Sequence, residues 1–501
     1  MKALILLITL QIILFVLPSA YADQGSLQAS RQNIIFIFTD DLGYGDIESF
    51  GAAKIKTPSI DRMGRDGMKF AEFYSASPVC SPSRAGLLTG RYPIRMGIRM
   101  GINFVFFPES YGGLPPGEVT IAEVLRDAGY TTGIVGKWHL GHREKYLPLQ
   151  QGFDEFFGVP YSNGMGGFYY IRGNDVIYEN IDQRFLTRTF TRESIAFIEK
   201  HSKDKKPFFL YLAHSMPHVP LYVSPDFEGK SKGGLYGDVI EELDWSVGQI
   251  LDKIKALGIE EKTLVIFSSD NGPWLFMGSH GGSAGILRDG KATTFEGGMR
   301  VPTLACWKGK IKPGSIVDDL ATMMDWFPTF TTLSGGKLPA GVQIDGKDIT
   351  QVLAGTGTRA GQDLVYYHFG KIEAYRSGDW KLKLPLDCFG YGPVLFPLSV
   401  IHPGIPTPHD SLLFNLKEDP SEKNNLTDQY PEKVRELKAK IEKFETELGE
   451  VPETQLTGKN ANYSGFIRGL GILAGKIVLI LISFVLVIVI AAKFLRKKMK
   501  R

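Results

Sequence analysis

The stretch Asn33-Ile-Ile-Phe-Ile-Phe-Thr-Asp-Asp41 decides the fold. Its apolar, β-favouring residues from Asn33 to Phe38 read as a strand, and the run stops at two adjacent carboxylates followed by the Gly43/Gly45 turn. Strand-like runs recur at Tyr130–Val135, Pro207–Ala213 and Thr263–Ser268. Helical patterns lie between them. Thr57-Pro58 gives a cap with proline in the first turn before Ser59–Asp66, and Thr120-Ile-Ala-Glu123 is a capping box opening a helix that Gly129 closes. Tyr236–Ile254 carries apolar residues at helical spacing. Strand and helix in alternation predict an α/β fold with a large, mostly parallel sheet covered by helices on both faces.

The texture changes after about Gly346. Leu364–His368, Trp380–Leu384 and Leu412–Leu416 are short strand candidates separated by Gly, Pro and Asp turns, and Glu432–Leu448 reads as a charged amphipathic helix. A smaller C-terminal α+β domain over 347–453 is expected behind a main domain over 23–346. No internal repeat or low-complexity tract interrupts either part.

The two ends read as targeting segments. Lys2 precedes an apolar run to Leu17, and Ala20-Tyr-Ala22 supplies a cleavage site, so residues 1–22 are expected to be a signal peptide. At the other end a polar linker (454–468) leads to an apolar segment (469–492) and a basic tail (493–501). The strictly apolar part, Ile477 to Ala492, would rise about 24 Å as a helix. That is short of a bilayer core of about 30 Å, and the flanking lysines with the Gly469–Gly475 stretch can close the gap. A single-pass anchor with a cytosolic tail and a body in the lumen or outside the cell is predicted, in the lysosome, the endoplasmic reticulum or at the cell surface. Asn425-Leu-Thr427 and Asn462-Tyr-Ser464 are glycosylation acceptors that agree with this route.

The net charge of +3 includes six basic residues in the last nine and Lys2, so the chain between them carries −4. That balance excludes a basic surface for nucleic acid. Three cysteines, Cys80, Cys306 and Cys388, are too few for a disulfide framework. Cys306 sits in an apolar strand-like run, and Cys388 can pair with it or stay free.

Ligands in parallel α/β sheets gather at the carboxyl ends of strands. Five segments there carry functional side chains: Asp40-Asp41, Lys137-Trp-His139, His214-Ser-Met-Pro-His218, Asp270-Asn271 and, further on, Lys291. Hard oxygens from two strand ends suit Ca²⁺ or Mg²⁺, although aspartate at a strand end is also a common turn residue. Lysines and histidines beside them could neutralise an anionic oxygen and move protons, although each alone is more often a surface lysine or a hydrogen-bonded histidine. Cys80-Ser-Pro-Ser-Arg84 reads as a helix start capped by Ser81, with Cys80 facing the positive end. Taken alone, Cys80 reads as a buried structural thiol.

Together these segments resemble the sulfatase family of the alkaline-phosphatase superfamily. Cys80-Ser-Pro-Ser-Arg84 with its following helix and Thr89-Gly90 is similar to the first signature of that family, and Gly136-Lys-Trp-His-Leu-Gly141 to the second. The paired aspartates, Asp270-Asn271-Gly272, Gly290-Lys291…Glu296-Gly-Gly298 and Leu413-Phe-Asn-Leu416 follow in the family's order, and Gly90-Arg-Tyr-Pro-Ile-Arg-Met-Gly97 with Gly152-Phe-Asp-Glu-Phe-Phe-Gly158 resembles its arylsulfatase A and N-acetylgalactosamine-6-sulfatase branch. The chain departs in having few cysteines and a C-terminal apolar segment.

The resemblance implies an alkaline-phosphatase-like fold and hydrolysis of aryl, sugar or lipid sulfate esters. It implies that a formylglycine-generating enzyme oxidises Cys80, and that Asp40, Asp41, Asp270 and Asn271 hold Ca²⁺ together with residue 80. It further implies that Arg84, Lys137 and Lys291 neutralise the ester, that His218 serves the leaving group, that His139 is a base, and that Ser162 contacts the sulfate. Two rivals stand beside this expectation. One is a phosphomonoester or phosphonate hydrolase of the same superfamily, which would use an unmodified Ser or Thr. The other is a membrane-tethered binding protein without catalysis.

Overall fold

The structure, a computed structural model, describes residues 31–98, 105–108, 110–166, 168–368, 370–385 and 410–452. The N-terminal segment, the apolar segment 469–492, Asn462 and Cys388 lie outside the described residues.

Sixteen strands are described: β1 (Asn33–Thr39), β2 (Met68–Phe70), β3 (Phe73–Tyr74), β4 (Thr131–Lys137), β5 (Glu155–Val159), β6 (Tyr170–Arg172), β7 (Asp175–Tyr178), β8 (Phe208–Ala213), β9 (Thr263–Ser269), β10 (Thr303–Cys306), β11 (Ser315–Val317), β12 (Ala321–Thr322), β13 (Asp363–His368), β14 (Lys371–Ser377), β15 (Trp380–Lys383) and β16 (Leu412–Asn415). Ten form one sheet in the order β11-β2-β10-β9-β1-β8-β4-β5-β6-β7. Its centre, β9-β1-β8-β4-β5, is parallel throughout, and the antiparallel pairs β9-β10, β10-β2, β5-β6 and β6-β7 lie outside it. β1 lies at the middle, with Phe38 opposite Ala213 on one side and Ser268 on the other.

Period-two alternation sends β1 side chains to two separate cores. Ile34, Phe36 and Phe38 face a core with Ile121, Leu125, Trp326 and Phe330, from helices Ile121–Asp127 and Trp326–Ser334. Ile35 and Ile37 face the other core with Ile60, Phe190, Val239 and Leu243, from helices Pro58–Asp66, Leu186–His201 and Gly234–Ala256. All five β1 apolar residues are buried, so both faces of this central strand are covered, as the sequence predicts. The cap expected from Thr57 comes instead from Asp244, whose Oδ1 accepts from the N–H groups of Ser59 and Ile60 at 2.9 and 2.7 Å. The Thr120 capping box forms as expected.

A second, antiparallel sheet, β13-β14-β15-β16, carries the helix Pro431–Leu448. Strand β14 escaped the sequence reading. Its Lys-Ile-Glu-Ala-Tyr-Arg-Ser pattern hides buried Glu373 and Arg376 among apolar positions. Cys306 carries a free thiol.

Candidate active site

The carboxyl ends of β9, β1, β8, β4 and β5 open on one side, and each delivers functional groups there. Asp40 and Asp41 follow β1, Asp270 and Asn271 follow β9, Lys137 ends β4, Ser162 follows β5, and His218 lies in the loop after β8. The close approach this demands shows at Gly136, where φ is 117° and a Cβ would come within 1.9 Å of the Ala213 carbonyl oxygen. Asp41, His139 and Ala292 also hold positive φ without being glycine, the kind of backbone strain that a site must hold in place.

Cys80 is the first residue of the helix Cys80–Thr89, with Val79 at the cap position. The expected cap from Ser81 does not form, because its hydroxyl accepts the Phe106 N–H at 3.1 Å instead. The thiol is 1% exposed and points at the two aspartates, 3.5 Å from Asp40 Oδ1 and 3.9 Å from Asp41 Oδ1. Burial pushes that thiol far above its ordinary range despite Lys137 and Lys291. Left as a thiol it is a poor nucleophile.

Around it, ions pair in a closed circuit. Arg84 gives Nε and Nη2 to Asp270 Oδ2 at 3.0 and 2.8 Å. Lys137 Nζ reaches Asp40 Oδ2 at 2.5 Å and Ser162 Oγ at 2.7 Å. Lys291 Nζ donates to Asp41 Oδ2 at 2.7 Å, and His218 Nε2 lies 3.8 Å from the same oxygen. Burial works to raise the Asp40 carboxyl, but Lys137, His218 and Arg84 outweigh it and hold it below its ordinary value. Burial raises Asp270 in spite of Arg84, and the neighbouring Asp40 adds to that. Asp40, Asp41 and Asp270 thus face Arg84, Lys137 and Lys291 in a buried cluster.

The donor set fits a hard dication. Asp40, Asp41, Cys80 and Asp270 each offer an atom within 4.8 Å of the others. Asn271 donates Nδ2 to Asp41 Oδ1 at 2.8 Å, while its own Oδ1 is buried without a hydrogen-bond partner. A buried, unsatisfied amide oxygen beside three carboxylates is what a bound cation would satisfy.

The two histidine segments divide. His218 joins the circuit, whereas His214 turns away to Ser246 Oγ at 3.2 Å and packs near Phe190. His139 is fully buried, with Nε2 3.0 Å from the Phe106 carbonyl oxygen and Nδ1 without a partner. Burial, with Lys137 and Arg84 nearby, holds its imidazole well below the usual range, so the ring is neutral.

Sequence reasoning missed Trp274. It directly follows Asp270-Asn-Gly-Pro273, and its ring lies 5.6 Å from that of His218 and 4.5 Å from Lys291 Nζ.

Residues 32–336 match the sulfatase family and 359–465 match the C-terminal region of aryl-sulfatase. The chain belongs to the sulfatase family. It is therefore a sulfuric ester hydrolase by descent. Bovine arylsulfatase A is 38% identical over 84% of this sulfatase and 88% of its own length. Canine N-acetylgalactosamine-6-sulfatase is 41% identical over 70% and 71%. Among solved structures, a Pseudoalteromonas sulfatase superposes with a TM-score of 0.74 at 26% identity, covering 85% of this chain and 92% of its own.

Proposed function

We propose that this sulfatase hydrolyses sulfate esters through a formylglycine made from Cys80 and a calcium ion held by Asp40, Asp41, Asp270 and Asn271. The observation that carries this reading is the aim of the buried Cys80 side chain at Asp40 and Asp41, beside the unsatisfied Asn271 oxygen. Residue 80 oxidised to formylglycine supplies, as its hydrate, the oxygen nucleophile that its unreactive thiol does not. The cation supplies charge stabilisation at a sulfate oxygen.

The chain's own residues do the rest. Because Arg84, Lys137 and Lys291 already balance the three carboxylates, a bound dication leaves surplus positive charge for an anionic ester. Lys137 and Ser162 orient one sulfate oxygen, and Lys291 orients another. His218 stands on the Lys291 side, suited to protonate the departing alcohol. Neutral His139, with Nδ1 open, would serve as the base that accepts a proton on the residue-80 side of the site.

A formylglycine-generating enzyme in the secretory route is the implied partner, and exposed Asn425 suits glycosylation there. No described helix is long and apolar enough to cross a membrane. The anchor is therefore proposed on the sequence of 469–492 alone, with the catalytic body in the lumen or outside the cell.

The test compares the protein with its Cys80→Ala variant, made in cells able to form formylglycine. Sulfate release from an aryl sulfate and phosphate release from the matching aryl phosphate are followed with and without a calcium chelator. Sulfate release that needs both Cys80 and the cation is expected. Phosphate release indifferent to Cys80 would move the protein to the phosphomonoesterase rival. Conversion of residue 80 is read by mass spectrometry.

A further inference from the structure

The polar floor of the site accounts for the sulfate but not for what the sulfate is attached to. Above that floor the surroundings turn apolar. Val79, Cys80 and Val105 form a small buried cluster of their own, against which Phe107, Met165 and Ala292 pack while staying partly exposed. Ala292 adjoins Lys291, whose amino group lies over the ring of half-buried Trp274.

Trp274 has no evident packing task. It belongs to none of the buried apolar clusters, whereas Trp138, Trp307 and Trp326 are each no more than 1% exposed within the main core. Its backbone is nevertheless fixed tightly. The Trp274 carbonyl oxygen accepts the Met277 N–H at 2.9 Å, and a Cβ at Gly281 would come within 2.1 Å of that oxygen. A half-exposed indole on this fixed backbone, beside His218 and Lys291, costs apolar exposure that the free protein does not recover. A bound molecule with an apolar face would recover it.

We propose that Trp274, with Phe107 and Met165, forms the leaving-group subsite and that Trp274 makes the enzyme selective for esters whose sulfate is carried by a six-membered ring. This rests on the sulfatase reading of the same site. An aromatic ring and the C–H face of a pyranose share the chemistry that an indole recognises, namely a flat apolar surface. An open-chain polyol lacks it. His218 borders the indole, so a ring seated there has its bridging oxygen on the side of the proposed acid.

The test uses three sulfate esters: 4-nitrophenyl sulfate, a methyl hexopyranoside 6-sulfate and the open-chain hexitol 6-sulfate. Wild type, Trp274→Ala and Trp274→Phe are compared in kcat/KM. Affinities are measured in parallel by calorimetry on the Cys80→Ala background, with and without the Trp274 substitution. Trp274→Ala should lower kcat/KM for ring esters about tenfold more than for the hexitol ester, mainly through KM, with a matching loss of ring affinity in the non-reacting background. Trp274→Phe should keep most of the preference. The two ring esters distinguish an aryl from a sugar selector. An equal loss for ring and open-chain esters would overturn the proposal, since Trp274 would then act only through His218 and Lys291. So would a wild type that does not prefer rings. Should no ester release sulfate while the calorimetric preference persists and depends on Trp274, the subsite stands and the catalytic reading falls.

Discussion

Asn271 hands its amide N–H to Asp41 Oδ1 at 2.8 Å and keeps its own carbonyl oxygen unsatisfied in a fully buried position. The residue therefore has two tasks, orienting one proposed ligand and being another. Asn271→Ala should weaken calcium binding by tenfold or more, the scale on which loss of a supporting partner acts at metal sites. Calorimetric titration of calcium into metal-free protein checks this. The rise in melting temperature on adding calcium should shrink in parallel, because stabilisation follows the logarithm of ligand over dissociation constant. An unchanged calcium affinity would remove Asn271 from the ligand set.

Lys137 bridges Asp40 and Ser162, and the two contacts should separate in a mutant pair. Lys137→Met strips the counter-ion from a buried carboxylate, so it should cost about 3–5 kcal/mol in stability and roughly 100-fold or more in kcat. Ser162→Ala removes only one neutral hydrogen-bond partner, worth about 1 kcal/mol, or severalfold in kcat/KM. Steady-state kinetics and denaturant melts on the same preparations decide between them. Equal effects would contradict the bridge.

The sequence made the strand-end residues legible because they fall in the loops that immediately follow buried strands. A strand such as β1, apolar from Ile34 to Phe38, announces where the chain leaves the core, and Asp40 and Asp41 come next. The same logic found Lys137 and Asp270. It failed where local chemistry had two outlets. Ser81 is a good cap by type, yet its hydroxyl takes the Phe106 N–H, a partner 25 residues away that no local pattern reveals. It failed again at β14, where Glu373 and Arg376 are buried by partners from other elements, so the strand looks half polar. Trp274 escaped because an aromatic after a turn has no spacing signature. Only its contact with His218 and Lys291 marks it.

Asp46 gives the stability a pH dependence of known sign. Its carboxyl is buried, accepts the Tyr236 hydroxyl at 2.6 Å and the Gly43 N–H at 2.8 Å, and is pushed by burial up to about 7. A carboxyl raised in the fold stays protonated there while the unfolded chain has ionised. Its contribution is therefore fully present below the unfolded value near 4 and is lost as pH rises towards 7. Buried Asp244, raised to about 6, acts in the same direction. The melting temperature should fall between pH 5 and 7.5, and Asp46→Asn, neutral at every pH, should flatten that slope. An unaltered slope in the variant would place its origin elsewhere.

Lys381 ties the C-terminal sheet to the Glu296-Gly-Gly298 segment, and the contact reaches the site. Lys381 Nζ, fully buried on β15, pairs with Glu296 at 2.9 Å and Glu422 at 2.8 Å, and Glu422 accepts the Glu296 backbone N–H at 2.7 Å. Glu296 opens the Glu296-Gly-Gly298 turn, which packs so closely on Gly272 that a Cβ there would come within 1.8 Å of the Gly297 carbonyl oxygen. Gly272 follows Asn271 directly. Burial raises the Glu296 carboxyl, but Lys381, Arg376 and Arg300 outweigh it and bring it down to about 2. Its share of stability is thus present above the unfolded value near 4.5 and is lost as pH falls towards 2. Lys381→Met leaves two buried carboxylates without their shared cation and should cost about 3–5 kcal/mol, read from denaturant melts at pH 7. Adding Glu422→Gln, which removes one of those charges, should recover part of the loss. The single variant should also bind calcium more weakly if the turn transmits its displacement to Asn271, and the double variant should recover affinity together with stability. Full calcium affinity in a destabilised Lys381→Met protein would confine the network to holding the C-terminal sheet in place.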